Sequence, residues 1–103
     1  MNAQMNIKLI NRGTEGELLL EGRLDSVTAP EVEAVFHQMA ERFDKLVLNL
    51  AQLDYISSAG LRSLKRLHMD MKKKSGALVL KNVRNMVMEV FEMTGFAGLL
   101  TFE

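Results

Sequence analysis

The 103-residue sequence contains no cysteine and no tryptophan, and it has a single proline. Without cysteine the chain has no disulfide bond, no thiolate nucleophile and no cysteine-bearing zinc site. Thirteen basic residues balance thirteen acidic ones, so the formal net charge is zero and nothing suggests a basic surface for nucleic acid. No apolar run approaches the roughly 20 residues that cross a bilayer. These absences argue against a nucleic-acid-binding or membrane-spanning protein.

The rest of the composition fits one ordinary globular domain. Hydrophobic residues make up 48% and charged residues 25% of the chain, close to the usual values. We therefore expect a single domain over residues 1–103 with one core. The first residues, "MNAQMNIKLINRG", lack the basic start and long apolar core of a secretory signal. The expected compartment is the cytoplasm, and the expected state is a monomer or weak dimer.

The hydrophobic pattern predicts the order β-β-α-β-α-β-α-β. Strand-like runs and helix-period runs alternate along the chain, which is typical of an α/β domain with one mixed sheet and helices packed against it. We expect four to five strands and three to four helices. The strand candidates are "MNIKLINRG", "GELLLEGRLD", "KLVLNL" and "GALVLKN", with "GLLTFE" as a short strand or extended tail. The helix candidates are "TAPEVEAVFHQMAERF", the segment after "SSAG", and "VRNMVMEVFEMTG".

Two local patterns predict how the first helix begins and which residues of the third helix face the core. Thr28 and Glu31 have the spacing of a capping box at the start of the first helix. In the third helix, Met86 recurs at helical spacing with Val83, Val87 and Val90, so we expect it to face the core.

The sequence lacks the motifs of common enzymes. It contains no G-x-G-x-x-G, G-x-x-x-x-G-K-[ST], H-E-x-x-H or G-x-S-x-G pattern. His37 and His68 lie on different predicted helices, where a structural or solvated imidazole is the expected role. We expect no enzymatic activity, no cofactor and no metal.

The stretch "LDYISSAGLRSL" places Ser57 and Ser58 where a predicted strand ends and a predicted helix begins. Loops at the carboxyl ends of strands are favoured functional positions in α/β sheets. One interpretation is that a serine caps the helix. The other is a site for a regulated phosphate, which the helix N-terminus would accommodate. In this second interpretation Gly60, without a Cβ, leaves the neighbouring surface open to another protein's active site.

This stretch resembles the STAS-domain family, and within it the small bacterial anti-sigma factor antagonists. The resemblance covers nearly the whole chain, through "EGRLDSVTAPEVE", "LVLNLAQLDYISSAGLRSL" and "VFEMTGF". It implies that Ser58 is the phosphoacceptor. Many relatives have an acidic residue directly before the acceptor, whereas this chain has Ser57, which is the less favoured acceptor. Asp25 matches an aspartate of the family and is either a turn residue or a contact to the partner kinase.

The resemblance implies a switch without chemistry of its own. The unphosphorylated domain would bind an anti-sigma factor that is also a serine-protein kinase and so release a sigma factor; phosphorylation would end binding, and a serine phosphatase would reset the switch. The expected partner-binding residues are Asp25, Asp54, Tyr55, Ser57, Ser58, Ala59, Gly60 and Arg62. Two alternatives stay open: a nucleotide or other small ligand bound beside Asp25 and Ser58, and a scaffold that is never phosphorylated.

Overall fold

The computed structural model describes residues 5–103, and within them the strands form one sheet in the order β1-β2-β3-β4. The first two strands form an antiparallel hairpin, whereas β2 with β3 and β3 with β4 are parallel. The mixed sheet predicted from the sequence is therefore confirmed. The strands are β1 (Met5–Arg12), β2 (Glu15–Leu24), β3 (Lys45–Ile56) and β4 (Ala77–Lys81).

Four helices complete the described part of the chain, which confirms the predicted α/β class. They are α1 (Ala29–Arg42), α2 (Ser58–Lys73), α3 (Asn85–Thr94) and α4 (Phe96–Leu99). The fourth helix replaces the first half of the expected last strand. Gly95, in the left-handed conformation with φ +83°, ends α3 and starts this extra turn. The tail then meets the sheet in a single parallel bridge between Phe102 and Leu80, in which the Leu80 amide donates to the Thr101 carbonyl oxygen and the Glu103 amide donates to the Leu80 carbonyl oxygen, both at 2.9 Å.

The core lies between the helices and one face of the sheet. Alternate residues of the strands point into it, because successive side chains of a strand face opposite ways. The fully buried strand side chains are those of Leu18, Leu20, Leu24, Leu46, Leu48, Leu50, Leu53 and Leu80, and they cluster with Val32, Phe36, Leu64, Leu67 and Phe91 of the helices. The side chain of Met86, by contrast, is 67% exposed, so its expected place in the core is wrong. Helical spacing does not say how wide the buried stripe of a helix is.

The helix-free face of the sheet carries a buried carboxylate. Glu17, only 5% exposed, receives hydrogen bonds from Arg12 (3.2 Å) and Asn49 (3.1 Å), and Lys81 Nζ lies 3.2 Å from its Oε2. These partners come from β1, β3 and β4, so the Glu17 cluster ties together every strand of the sheet. The cluster explains how a charged residue tolerates burial.

Lys74→Met is expected to lower the free energy of unfolding by about 1 kcal/mol. The Lys74 ammonium donates to the carbonyl oxygens of Ala40 (2.8 Å) and Phe43 (3.0 Å) and so satisfies the C-terminal end of α1. Methionine keeps the length of the stem but removes the donors. The measurement is urea denaturation, with Lys72→Met as the matched control, since Lys72 makes no side-chain hydrogen bond or ion pair within residues 5–103. Equal losses in the two variants would contradict this capping role.

Candidate functional site

The candidate site forms where β2 and β3 end side by side. Because the two strands are parallel, their carboxyl ends reach the same edge of the sheet, where Asp25 follows β2 and the serine pair follows β3. The Ser57 amide donates to the Leu24 carbonyl oxygen at 2.9 Å and holds the two connections together. The structure thus brings Asp25 near the serine pair, as the resemblance to the family implied.

The two serines differ in accessibility. Ser58 is the first residue of α2 and is exposed. Ser57 occupies the N-cap position, but its Oγ is buried and has no hydrogen-bond partner within residues 5–103. A capping serine would accept a hydrogen bond from an amide two or three residues further on. The interpretation that a serine side chain caps α2 is therefore wrong for this conformation.

Asp25 organises the connection between β2 and α1. Its Oδ1 accepts hydrogen bonds from the amides of Val27 (2.9 Å) and Thr28 (3.1 Å). The bond from the Thr28 amide is the main cause that lowers the pKa of Asp25, and the Val27 amide and the Arg23 charge act in the same direction. Asp25 is thus a turn residue, which was one of its two expected roles. It stays ionised at neutral pH beside the serines.

Thr28 does not form the expected capping box with Glu31. Its backbone is already helical, with φ −90° and ψ −19°, and its side chain makes no cap hydrogen bond. The Thr28 hydroxyl instead donates to the Arg23 carbonyl oxygen at 2.7 Å and accepts from the Asp25 amide at 3.0 Å. Because Thr28 is buried against the end of β2, tertiary contacts override the local capping pattern.

Arg23 contacts both Tyr55 and Asp25 at this edge of the sheet. The guanidinium carbon of Arg23 lies 4.2 Å from the centre of the Tyr55 ring, a cation–π contact, and its Nε lies 3.7 Å from Asp25 Oδ2. Tyr55 remains 39% exposed. Arg23 therefore links two of the expected partner-binding residues, although nothing in the local sequence singled it out.

Asp54 is directed toward α3. Its Oδ1 pairs with Arg84 Nη1 at 2.6 Å, and Arg84 Nε donates to the Ala51 carbonyl oxygen at 2.8 Å. Arg84 stands at the N-cap position of α3, thirty residues from Asp54 in the chain. Sequence reasoning missed Arg84, because no local pattern connects residues so far apart.

Gly60 is buried, so the expectation that it opens the outer surface is wrong. A Cβ on Gly60 would lie 2.7 Å from Leu24 Cγ, 2.8 Å from Ile56 Cγ1 and 2.9 Å from the Leu24 carbonyl oxygen. The missing side chain lets α2 approach the end of β2. Ala59 is half-buried, and Arg62 is exposed one helical turn after Ser58.

Other kinds of site find little support in the described part of the chain. Residues 5–103 contain no group of three or more histidine, aspartate or glutamate side chains placed to hold a metal ion. Over the same residues, every helix is too short or too polar to cross a membrane.

Comparison with known proteins connects this geometry to a family. Residues 8–103 match the family model described as STAS domain. BtrV of Bordetella bronchiseptica, a proposed anti-sigma factor antagonist, is 37% identical over 99 residues, which cover 90% of this chain and 83% of BtrV. The anti-sigma-B factor antagonist of Bacillus subtilis is 26% identical over 98 residues, which cover 93% of this chain and 90% of that protein.

Solved structures of the antagonist SpoIIAA share the fold. Its unphosphorylated form superimposes with a TM-score of 0.79 at 17% identity, covering 97% of this chain and 88% of SpoIIAA. The phosphorylated form of the Bacillus protein gives 0.73 at 16% identity, covering 97% and 91%. At this identity the likeness concerns the fold alone. The family model and the 37% identical relative together show that the chain belongs to the STAS domain family.

Proposed function

We propose that this protein is an anti-sigma factor antagonist that is switched by phosphorylation of Ser58. In its unphosphorylated form it binds an anti-sigma factor, which is also its serine kinase, and thereby releases a sigma factor. The names of the two relatives and the fold of SpoIIAA support this role. The observation that carries the choice of residue is the exposed Ser58 at the start of α2, beside the buried Oγ of Ser57.

Exposure favours Ser58 because a kinase must reach the hydroxyl oxygen. Phosphoryl transfer needs the acceptor oxygen in line with the γ-phosphate, so that oxygen must enter the partner's active site. The Ser57 Oγ is buried, and its amide is held by the Leu24 carbonyl oxygen, so presenting this oxygen would require the N-terminus of α2 to move. Phosphorylation at Ser58 needs no such movement.

The switch is local and electrostatic. A phosphoserine adds about −1.5 to −2 charge at neutral pH. Asp25 already contributes a negative charge at the same edge of the sheet, and the hydrogen bond from the Thr28 amide lowers its pKa further below the ordinary value. On a docking surface, leaving the new dianion unpaired costs several kcal/mol, and each 1.4 kcal/mol weakens binding tenfold. A partner that covers Ser58 is therefore released without a change of fold.

The partners follow from this mechanism. The kinase and the anti-sigma factor are one protein that covers Ser58, and a separate serine phosphatase restores the free hydroxyl. The domain itself contributes binding and an acceptor oxygen, with no catalytic chemistry of its own. It acts in the cytoplasm, where sigma factors act.

Ser58→Ala is expected to abolish phosphorylation while preserving partner binding. The experiment is affinity purification of the Ser58→Ala form from the native cells, followed by incubation of the copurified kinase and ATP with wild-type and variant chains. Intact-mass analysis should find one phosphoryl group on the wild type and none on Ser58→Ala. Ser58→Asp should bind the copurified partner at least about tenfold more weakly.

Ser57→Ala is the matched control, since it removes the neighbouring hydroxyl. This variant should still accept one phosphoryl group, because the Ser57 Oγ is buried. Phosphate that maps to Ser57 in the wild type would overturn the assignment of the acceptor. A wild-type chain that is never phosphorylated, in the cells or by any copurified protein, would leave a scaffold role in place of the switch.

A further inference from the structure

The outward face of α2 concentrates positive charge in a chain whose total charge is zero. Four basic residues and one methionine lie on this face and line a shallow groove of ≈ 430 Å³ together with Asp70. We call these five residues the α2 stripe: Arg62, Lys65, Arg66, Met69 and Lys73. All of them are exposed. The charge balance along the groove is four cations against one carboxylate.

Most of this positive charge is not neutralised within the protein. Arg66 pairs with Glu33 of α1 at 2.9 Å. Arg62, Lys65 and Lys73 make no ion pair or side-chain hydrogen bond with any residue of the described range 5–103. On the helix-free face of the sheet, by contrast, Arg12, Lys45 and Lys81 are each within 4.0 Å of a glutamate oxygen. The stripe is therefore a surface with open cationic positions.

An apolar side chain lies in the middle of these cations. Met69 is 45% exposed, and its position places it between Lys65 and Lys73 on successive turns of α2. Methionine is flexible and polarizable, and it adapts to apolar partners of different shape. From Arg62 to Lys73 the stripe extends about 16 Å, or about three helical turns.

We propose that the α2 stripe docks an acidic amphipathic helix of the partner, with an apolar side chain against Met69 and carboxylates along the flanking cations. A helix fits because its i, i+4 and i+7 positions present side chains at the same intervals as the stripe. A nucleic-acid strand would gain nothing from the central methionine. A lipid surface needs a broad apolar face, whereas this one offers a single side chain.

The stripe continues from the proposed switch. Arg62 lies one turn beyond Ser58 on the same helix, so a phosphoryl group on Ser58 would stand at the end of the stripe where the acidic helix docks. That the docked helix belongs to the anti-sigma factor rests on the proposed function. The affinity of the α2 stripe for an acidic helix is independent of the proposed function, because the stripe is present in the protein whether or not Ser58 is ever phosphorylated.

The test is a titration of the ¹⁵N-labelled, unphosphorylated protein with a stapled amphipathic peptide that carries leucines on one face and glutamates on both flanks. The staple is needed because short isolated helices are marginal in water. We expect amide shifts confined to α2 and its neighbours, and binding that weakens as salt rises. Lys65→Glu should weaken binding about fivefold, since an attraction becomes a repulsion. Met69→Ala should weaken it as well.

Lys8→Glu is the matched control, because it makes the same charge change at an exposed lysine of β1. It should leave the affinity unchanged. Absence of binding, shifts that map away from α2, or equal binding of a peptide with lysines in place of glutamates would overturn the proposal. Tighter binding of single-stranded DNA or of phosphatidylglycerol vesicles at the same amides would overturn it too. None of these outcomes bears on whether Ser58 is phosphorylated, so the two proposals fail separately.

Discussion

Gly60→Ala is expected to lower the free energy of unfolding by about 1–3 kcal/mol, the usual cost of overpacking a core. The added Cβ would lie within 3.0 Å of three atoms, and two of them belong to the side chains of Leu24 and Ile56. The third is the Leu24 carbonyl oxygen, which also accepts the Ser57 amide. Side chains can shift, but this oxygen cannot retreat without weakening the hydrogen bond that positions α2. Relief of the clash therefore has to move the start of the helix.

The measurement is urea denaturation followed by circular dichroism, with Gly98→Ala as the matched control. A Cβ on Gly98 would meet no atom within 4 Å, so alanine there should leave the stability unchanged or raise it by up to about 1 kcal/mol. Gly60→Ala should also slow phosphorylation by the copurified kinase, because Ser58 belongs to the same turn. Equal stability of the two variants would contradict the close approach of α2 to β2.

Glu17→Gln is expected to lower the free energy of unfolding by about 1–3 kcal/mol at neutral pH. The carboxylate is almost fully buried and joins Arg12, Asn49 and Lys81 on the helix-free face. Glutamine keeps the shape but loses the charge, so the two cations lose their common partner. The loss is smaller than for a fully buried ion pair, because Arg12 is half exposed and can turn to solvent.

The Glu17 cluster also predicts a dependence on pH. Burial raises the pKa of Glu17, but the hydrogen bonds from Asn49, Lys81 and Arg12 and the Lys81 charge lower it more, so the pKa lies below its ordinary value. A carboxyl whose pKa is lower in the folded state contributes stability that is present above the unfolded pKa. This contribution disappears as the pH falls through the folded value. The stability difference between wild type and Glu17→Gln should therefore narrow in acid.

Urea denaturation of wild type and Glu17→Gln near neutral pH tests the expected loss of stability, and the same measurement below about pH 4 tests whether the difference between them narrows. Glu15→Gln is the control, because Glu15 lies on the same face and pairs with Lys45 at 3.7 Å in a partly exposed position. Such a pair contributes about 0–1 kcal/mol, so this variant should stay close to wild type at both values. A Glu17→Gln variant as stable as Glu15→Gln at neutral pH would show that the cluster does not stabilise the sheet.

Periodicity carried most of the fold prediction. The helical stripe of α1 records a face that must be buried, with Val32, Phe36 and Ala40 in the core, and such a face is visible in the sequence. The prediction of a short strand or extended tail holds only for the end of "GLLTFE", because its first two residues belong to the short helix that follows the left-handed Gly95. The core position expected for Met86 is wrong, since Met86 is exposed. In both places the structure depends on which other parts of the chain pack against the segment. The neighbouring residues in the sequence do not contain that information.

The candidate site could also be predicted only in part. The family resemblance implied that Asp25 lies close to the serine pair, and the parallel pairing of β2 with β3 explains why both reach one edge of the sheet. The partners of these residues could not be predicted. Arg84 reaches Asp54 across thirty residues, and Arg23 stacks on Tyr55 from the neighbouring strand.

By itself, then, the sequence determined the α/β architecture, the family and the position of the serine pair, because these depend on short-range patterns of apolar and polar residues. Only the tertiary structure decided that the Ser57 oxygen is buried while Ser58 is exposed, that Gly60 is a packing residue, and that one face of α2 keeps open cations. Those properties depend on how closely α2 approaches β2 and α1. Such distances are determined by side chains far apart in the chain.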